Sequence, residues 1–203
     1  GAWSIVQDHV NPNLLFAGLE FGVWFSVNGG GHWVELRGNL PKIQARDLHI
    51  QRQWTDLIVG TFGRGAYILD DYSALRDVSA ETLAAEAWLF PLRPVPQFNE
   101  LGQVRAVWGD QAFPNPPFGA TLTYHLRDAM TGGATFVLSI TDQAGELVRR
   151  IDLPADPGIH RVTWDLRREP PASGGRQGAR VAMGGYVATL GRLVGGQLTP
   201  LGR

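Results

Sequence analysis

Apolar and polar positions alternate in short runs along most of this chain, and the first seventy residues carry the alternation twice. Leu14-Leu15-Phe16-Ala17-Gly18 has the pattern of Asp56-Leu57-Ile58-Val59-Gly60, at an offset of 42 (60 − 18). Ser4-Ile5-Val6-Gln7 leads the first copy and Asp47-Leu48-His49-Ile50 leads the second. After each glycine the pattern returns with one residue inserted, Phe21-Gly22-Val23-Trp24-Phe25-Ser26 against Arg64-Gly65-Ala66-Tyr67-Ile68-Leu69. Runs of this length with period-two alternation, bounded by turn residues, predict strands. Each copy therefore predicts three short strands.

Only the first copy predicts a fourth strand, Trp33-Val34-Glu35-Leu36, reached through Ser26-Val27-Asn28-Gly29-Gly30-Gly31-His32-Trp33. That segment fits the pattern Ser/Thr-x-Asp/Asn-x-Gly-x-x-Trp, an Asp-box. Its physics is local: an Asn side chain hydrogen-bonds its own turn, glycine supplies positive φ, and the Trp returns to pack on the sheet. Ser26, Asn28, Gly30 and Trp33 thus read as a structural hairpin device. A four-stranded repeat of about this length suits one blade of a β-propeller. The second copy runs instead into Asp70-Asp71-Tyr72 and a helix-prone stretch. The chain begins at Gly1 without Met and enters a strand pattern at once. The expectation is a piece of a longer protein, with the strand that completes the second copy lying upstream of Gly1 and open strand edges inviting self-association.

Residues 73–100 read as a connector. Ser79 is a candidate N-cap for a helix over Ala80 to Glu86, with Glu81 in its first turn, and Leu89-Phe90-Pro91-Leu92-Arg93-Pro94-Val95-Pro96 is extended because of its prolines. Asn115-Pro116-Pro117-Phe118-Gly119-Ala120 is a turn cluster. Residues 101–203 then predict strands at Thr121 to Leu126, Phe136 to Ile140, Leu147 to Ile151, His160 to Leu166 and Tyr186 to Leu190, with a hairpin at Gly195-Gly196. Val162, Trp164 and Leu166 should share one face, Asp142-Gln143-Ala144-Gly145 should form a turn, and Ala172 to Gly178 a loop. Several short strands over about a hundred residues predict an Ig-like β-sandwich. The expected fold is therefore all-β: one or two terminal propeller blades over 1–72, the connector, and the sandwich.

Composition agrees. Of 203 residues 44% are apolar and only 18% charged, and 39 are glycine or proline (26 + 13), which suits a turn-rich β chain. Seven Trp supply large rings for short strands. A net charge of −1 gives no electrostatic footprint for nucleic acid or an anionic membrane. Without Cys there is neither a disulfide framework nor a thiolate metal site. No apolar run approaches the roughly 18 residues of a membrane span.

Candidate chemistry is sparse. Glycosidases hold two carboxylates across a bond, about 5 to 9.5 Å apart; Asp70 and Asp71 are adjacent, so on a strand they face opposite ways, and capping of the strand end is the better reading. Glu20 and Arg64 occupy comparable loop positions of the two copies and are candidate ligand contacts if those loops face a central mouth. Otherwise Gly63-Arg64-Gly65 is a tight turn with its guanidinium satisfied by a carboxylate or carbonyl, Asp47 being a candidate. His9, His32, His49, His125 and His160 have no metal-ligand spacing, and no cofactor or metal is expected. Ser173-Gly174-Gly175 lacks the context of a nucleophile elbow, and Gly29-Gly30-Gly31 opens a strand rather than a phosphate-binding helix. Trp54 and Trp108 are candidates for stacking on sugar rings, with core packing the default.

In combination these segments resemble a family. Asn11-Pro12-Asn13-Leu14-Leu15-Phe16-Ala17-Gly18, Glu20-Phe21-Gly22-Val23 and Gly38-Asn39-Leu40-Pro41 are similar to bacterial sortilin-like propellers, also called BNR-repeat or "glycosyl hydrolase" proteins. Gly60-Thr61-Phe62-Gly63-Arg64-Gly65 with Ile68-Leu69-Asp70-Asp71 resembles their last blade. Leu89-Phe90-Pro91, the turn cluster from Asn115, and Val162-Thr163-Trp164-Asp165-Leu166-Arg167 resemble the Ig-like domain that follows it. The resemblance implies an exported, extracytoplasmic bacterial protein, in which this region is noncatalytic, closes the propeller, and serves assembly or protein or peptide binding. The alternative it implies is an accessory part of a sialidase-like glycoside hydrolase, with the sandwich touching carbohydrate. The catalytic groups of sialidases come from many blades, and none maps onto a position here.

Overall fold

The computed structural model describes residues 1–98, 116–172 and 177–201. It is mostly β-strand with little helix, in several antiparallel sheets. The chain divides into two compact units, Gly1–Ala80 and Glu81–Arg203.

The first unit holds both copies of the repeat. Strands β1 (Ala2–Gln7), β2 (Leu15–Leu19), β3 (Gly22–Ser26) and β4 (Val34–Glu35) form a four-stranded antiparallel sheet in that order, here sheet A. Strands β5 (Ala45–Gln51), β6 (Asp56–Thr61) and β7 (Ala66–Leu69) form the three-stranded sheet B. The repeat is copied down to its irregularities. Ile5, Ala17 and Trp24 lie in one cross-strand row, as do Leu48, Val59 and Tyr67. The leading strand bulges between Ala2 and Ser4 in the first copy and between Ala45 and Asp47 in the second.

One face of sheet A packs on one face of sheet B. Phe16 and Val23 meet Ala45, Leu48, Leu57 and Val59 in a core closed by Leu14 and Tyr72, with Val6, Phe25 and Tyr67 at its margin. Gly18 makes the approach possible: a Cβ there would stand 2.5 Å from the Ala45 carbonyl oxygen, inside any real contact. Across the same interface the Leu48 N–H donates to Ser4 Oγ at 3.3 Å.

The stretch expected to be a connector is divided between the units. Its beginning is a 3-10 helix, Ser73–Asp77, belonging to the first. The helix α1 spans Ala80–Ala84, shorter than expected, because Ala87, Trp88 and Leu89 are taken up as strand β8 (Ala87–Leu89). β8 lies beside β9 (Ala120–Leu126), which also pairs with β12 (Gly158–Trp164). The second sheet of this unit runs β11 (Leu147–Asp152), β10 (Thr135–Asp142), β13 (Tyr186–Val194), β14 (Gln197–Pro200). Alternate residues of β9 and β10, namely Leu122, Tyr124, Leu126, Phe136, Leu138 and Ile140, are buried with Trp164 and Leu190 in one core shared by the two sheets. Burial, together with the charge of Asp156, pushes the Tyr124 hydroxyl up to about 12, so it stays neutral. The Gly195-Gly196 turn joins β13 to β14 as expected.

One expected strand is shorter. β12 stops at Trp164, and Leu166 has a φ of 57°, outside the strand region. Asp165 Oδ1 accepts from the Arg167 N–H at 3.1 Å and Trp164 Nε1 donates to the Arg167 carbonyl at 2.8 Å, so a turn locked by side chains replaces the last alternation. Leu166 is still buried in the core. Asn115, Trp108, Ser173, Gly174 and Gly175 lie outside the described residues.

Candidate interaction site

The Asp-box is a fully bonded hairpin. Ser26 is buried; its hydroxyl donates to Asn28 Oδ1 at 2.9 Å and accepts from the Gly30 N–H at 2.9 Å. Asn28 Oδ1 also accepts from the His32 N–H at 2.8 Å. Gly29 and Gly30 have φ of 70° and 93°, a conformation that glycine adopts without strain. Trp33 returns against Gly30, within 3.7 Å of where its Cβ would stand.

Glu20 and Arg64 are both at tips of the second hairpin of their sheets. Glu20 lies 3.5 Å from the Gly1 amino group. Arg64 is exposed in the Gly63–Gly65 turn, which is held by Thr61: its N–H and its hydroxyl both donate to the Gly65 carbonyl, at 3.0 and 2.7 Å. The two do not converge on a shared partner. Arg46, by contrast, meets two aromatic rings, with its guanidinium 4.1 Å from the Trp3 ring centroid and 4.9 Å from that of Phe62. Nothing in the sequence brings residues 3, 46 and 62 together; the stacking of the two sheets does.

Asp71 closes a side-chain turn onto Ser73. Its Oδ1 accepts from the Ser73 hydroxyl at 2.6 Å and the Ser73 N–H at 3.2 Å, at the start of the 3-10 helix, and its φ is 41°. A buried carboxylate that sequence reasoning passed over is Asp8. Its side chain is fully buried after β1. It accepts from the Tyr72 hydroxyl at 2.6 Å, from Arg76 Nε and Nη2 at 2.9 and 2.8 Å, and from the Asn11 and Val10 N–H groups at 2.7 and 3.0 Å. Burial alone raises its pKa; the hydrogen bonds from Arg76, Tyr72 and the backbone outweigh burial and hold the carboxyl well below the usual range. Burial and the bond to Asp8 push Tyr72 above the usual tyrosine range. A carboxylate so saturated with donors has no lone pair left for a substrate, so this cluster is a clasp between the first strand and the segment after the last.

What remains open is the other face of sheet A. Ala2, Trp3, Ile5, Ala17, Leu19, Trp24 and Trp33 line a groove of about 580 Å³. Ile5 is 63% exposed and Trp3 48%. A contiguous apolar surface of this kind is a candidate interaction site. Trp54, also weighed for sugar stacking, is 43% exposed elsewhere. Among the described residues no three His, Asp or Glu side chains gather as a metal site, and no helix is long and apolar enough to cross a membrane. Burial pulls the His125 pKa down.

Compared with protein-family models, with curated proteins and with solved structures, the chain matches none.

Proposed function

We propose that the chain is a noncatalytic assembly region: sheets A and B are successive blades of a sortilin-like, BNR-repeat β-propeller, and the second unit is an Ig-like sandwich following it in an extracytoplasmic protein. Its role in this reading is assembly: its sheets stack in series with sheets of the same kind, and its apolar surface is offered to a protein or peptide. The observation that carries the reading is the stacking of two sheets of one repeat, Gly18 against Ala45, with the remaining face of sheet A apolar and open. A hydrolase reading finds less support, because the one carboxylate buried among the described residues is saturated by five donors and Asp71 is engaged by Ser73. Arg46 between Trp3 and Phe62 is the feature on its side, since a flat aromatic and cationic surface suits a sugar.

A glycan array and a panel of aryl glycosides separate the two. We expect neither retention nor turnover, and we expect bis-ANS to bind the 203-residue chain and to be lost in Ile5→Arg. Saturable glycan binding that Arg64→Ala or Arg46→Ala abolishes would sink the assembly reading.

A further inference from the structure

The repeat itself indicates what covers the open face of sheet A. Residues of sheet B that face sheet A have counterparts one repeat earlier: Leu48 in Ile5 (48 − 5 = 43), Val59 in Ala17 (59 − 17 = 42), Tyr67 in Trp24 (67 − 24 = 43) and Ala45 in Ala2 (45 − 2 = 43). Leu48, Val59 and Ala45 are 4%, 2% and 1% exposed. Ile5, Trp24 and Ala2 line the open groove. The open face of A is thus the counterpart, position for position, of the covered face of B.

The converse holds for the cover. Sheet A presents Ser4, Val6, Phe16, Gly18, Val23 and Phe25 to sheet B, in cross-strand rows Ser4–Gly18–Val23 and Val6–Phe16–Phe25. The matching rows of sheet B are Asp47–Gly60–Ala66 and His49–Ile58–Ile68. They form its far face, where Asp47, His49, Ala66 and Ile68 are exposed. Gly60 stands where Gly18 stands. A Cβ on Gly18 would strike Ala45, whereas a Cβ on Gly60 would meet nothing nearer than the Asp47 Cβ, at 3.6 Å. Among the described residues none requires glycine at position 60; a sheet approaching that face as closely as B approaches A would.

We infer that the open face of sheet A docks the far face of sheet B of a second copy of this chain, head to tail, repeating the A–B interface already present inside each copy. The inference rests on the reading of the two sheets as stacking repeats. Ile58, Gly60, Ala66 and Ile68 of one copy fill the groove between Trp3, Ile5, Trp24 and Trp33 of the next. The Leu48 N–H to Ser4 hydrogen bond has its counterpart in the Ile5 N–H of one copy and the Asp47 carboxylate of the other. Such a contact uses two different patches, so copies add in series until the rotation closes a ring.

Sedimentation equilibrium on the 203-residue chain tests this with two exposed-face variants, Ile5→Arg and Ile68→Arg, each checked for native circular dichroism. Wild type is expected to exceed the monomer mass of 22.2 kDa increasingly with concentration, and each variant alone to remain at it. Mixed in equal amounts, the variants should form a one-to-one pair and nothing larger, because one retains the far face of B and the other the open face of A. A wild type that stays monomeric at its highest soluble concentration overturns the inference, as does self-association of Ile68→Arg equal to wild type, which would mean a symmetric contact between two A faces. Failure of the mixed pair overturns it also. None of these results bears on the glycan and hydrolysis measurements, by which the assembly reading stands or falls separately.

Discussion

Asp8 concentrates the polar energetics of the first unit in one side chain. Removing it leaves the Arg76 guanidinium and the Tyr72 hydroxyl without their acceptor in a buried place, and the loss of one partner of a buried pair costs about 3–5 kcal/mol. Asp8→Ala should therefore lower the unfolding free energy of the first unit by that order, seen as a lower urea midpoint with the slope unchanged. The pH dependence has a fixed sign. The folded pKa lies below the unfolded value of about 3.9, so the stabilisation is complete above that range and is lost as pH falls through the folded value. Asp8→Asn should remove that part of the acid slope below about pH 4, and an unchanged slope would show that Asp8 is not its source. Asn28 is a smaller case. Asn28→Ala leaves the Ser26 hydroxyl and the His32 N–H without an acceptor, a loss of about 1–2 kcal/mol that a thermal melt resolves. The sequence exposed Asn28 because an Asp-box bonds within itself. Asp8 stayed hidden because its side-chain partners are 64 and 68 residues away, and no local pattern marks them.

Among the strands and sheets, two glycines with the same place in the repeat should respond in opposite ways. Gly18→Ala puts a methyl into the Ala45 carbonyl and forces the sheets apart, an overpacking cost of about 1–3 kcal/mol. Gly60→Ala meets only ordinary contact and should leave the chemical-denaturation midpoint of a dilute monomer within error of wild type, while weakening self-association. Equal destabilisation by both would mean that the far face of B is already covered. The strands were legible because alternation reports which residues share a face, and the expected limits in the first unit fall within a residue or two of the observed ones. What alternation does not report is the cover. Ile5 and Leu48 read alike in sequence, yet one is 63% exposed and the other 4%. β8 was missed for a related reason: Ala87, Trp88 and Leu89 follow a helical pattern without a turn signal, and only pairing with β9 makes them a strand. Leu166 was misplaced on its strand because the Asp165 turn reverses the backbone and still returns the side chain to the core.

For the whole molecule, association through sheet A ties stability to concentration. A species that forms only from folded copies stabilises the fold by RT ln(1 + [L]/Kd), about 2.7 kcal/mol when the free partner is present at a hundred times Kd. The melting temperature of the first unit should therefore climb with total protein in wild type. Ile5→Arg has an intact core, since Ile5 lies outside it, and should melt at a temperature independent of concentration. Tryptophan emission offers a probe on the contact itself, because Trp3, Trp24 and Trp33 line the groove. Dilution should shift emission to the red as the rings become wet, and the shift should be absent in Ile5→Arg. The groove lining is almost wholly apolar, so the contact should survive salt that would screen an ion-pair interface. A contact that weakens steeply with salt would have to be built on charges such as Arg46 instead, and would place the docking surface at the Trp3–Phe62 end of the unit rather than across the sheet.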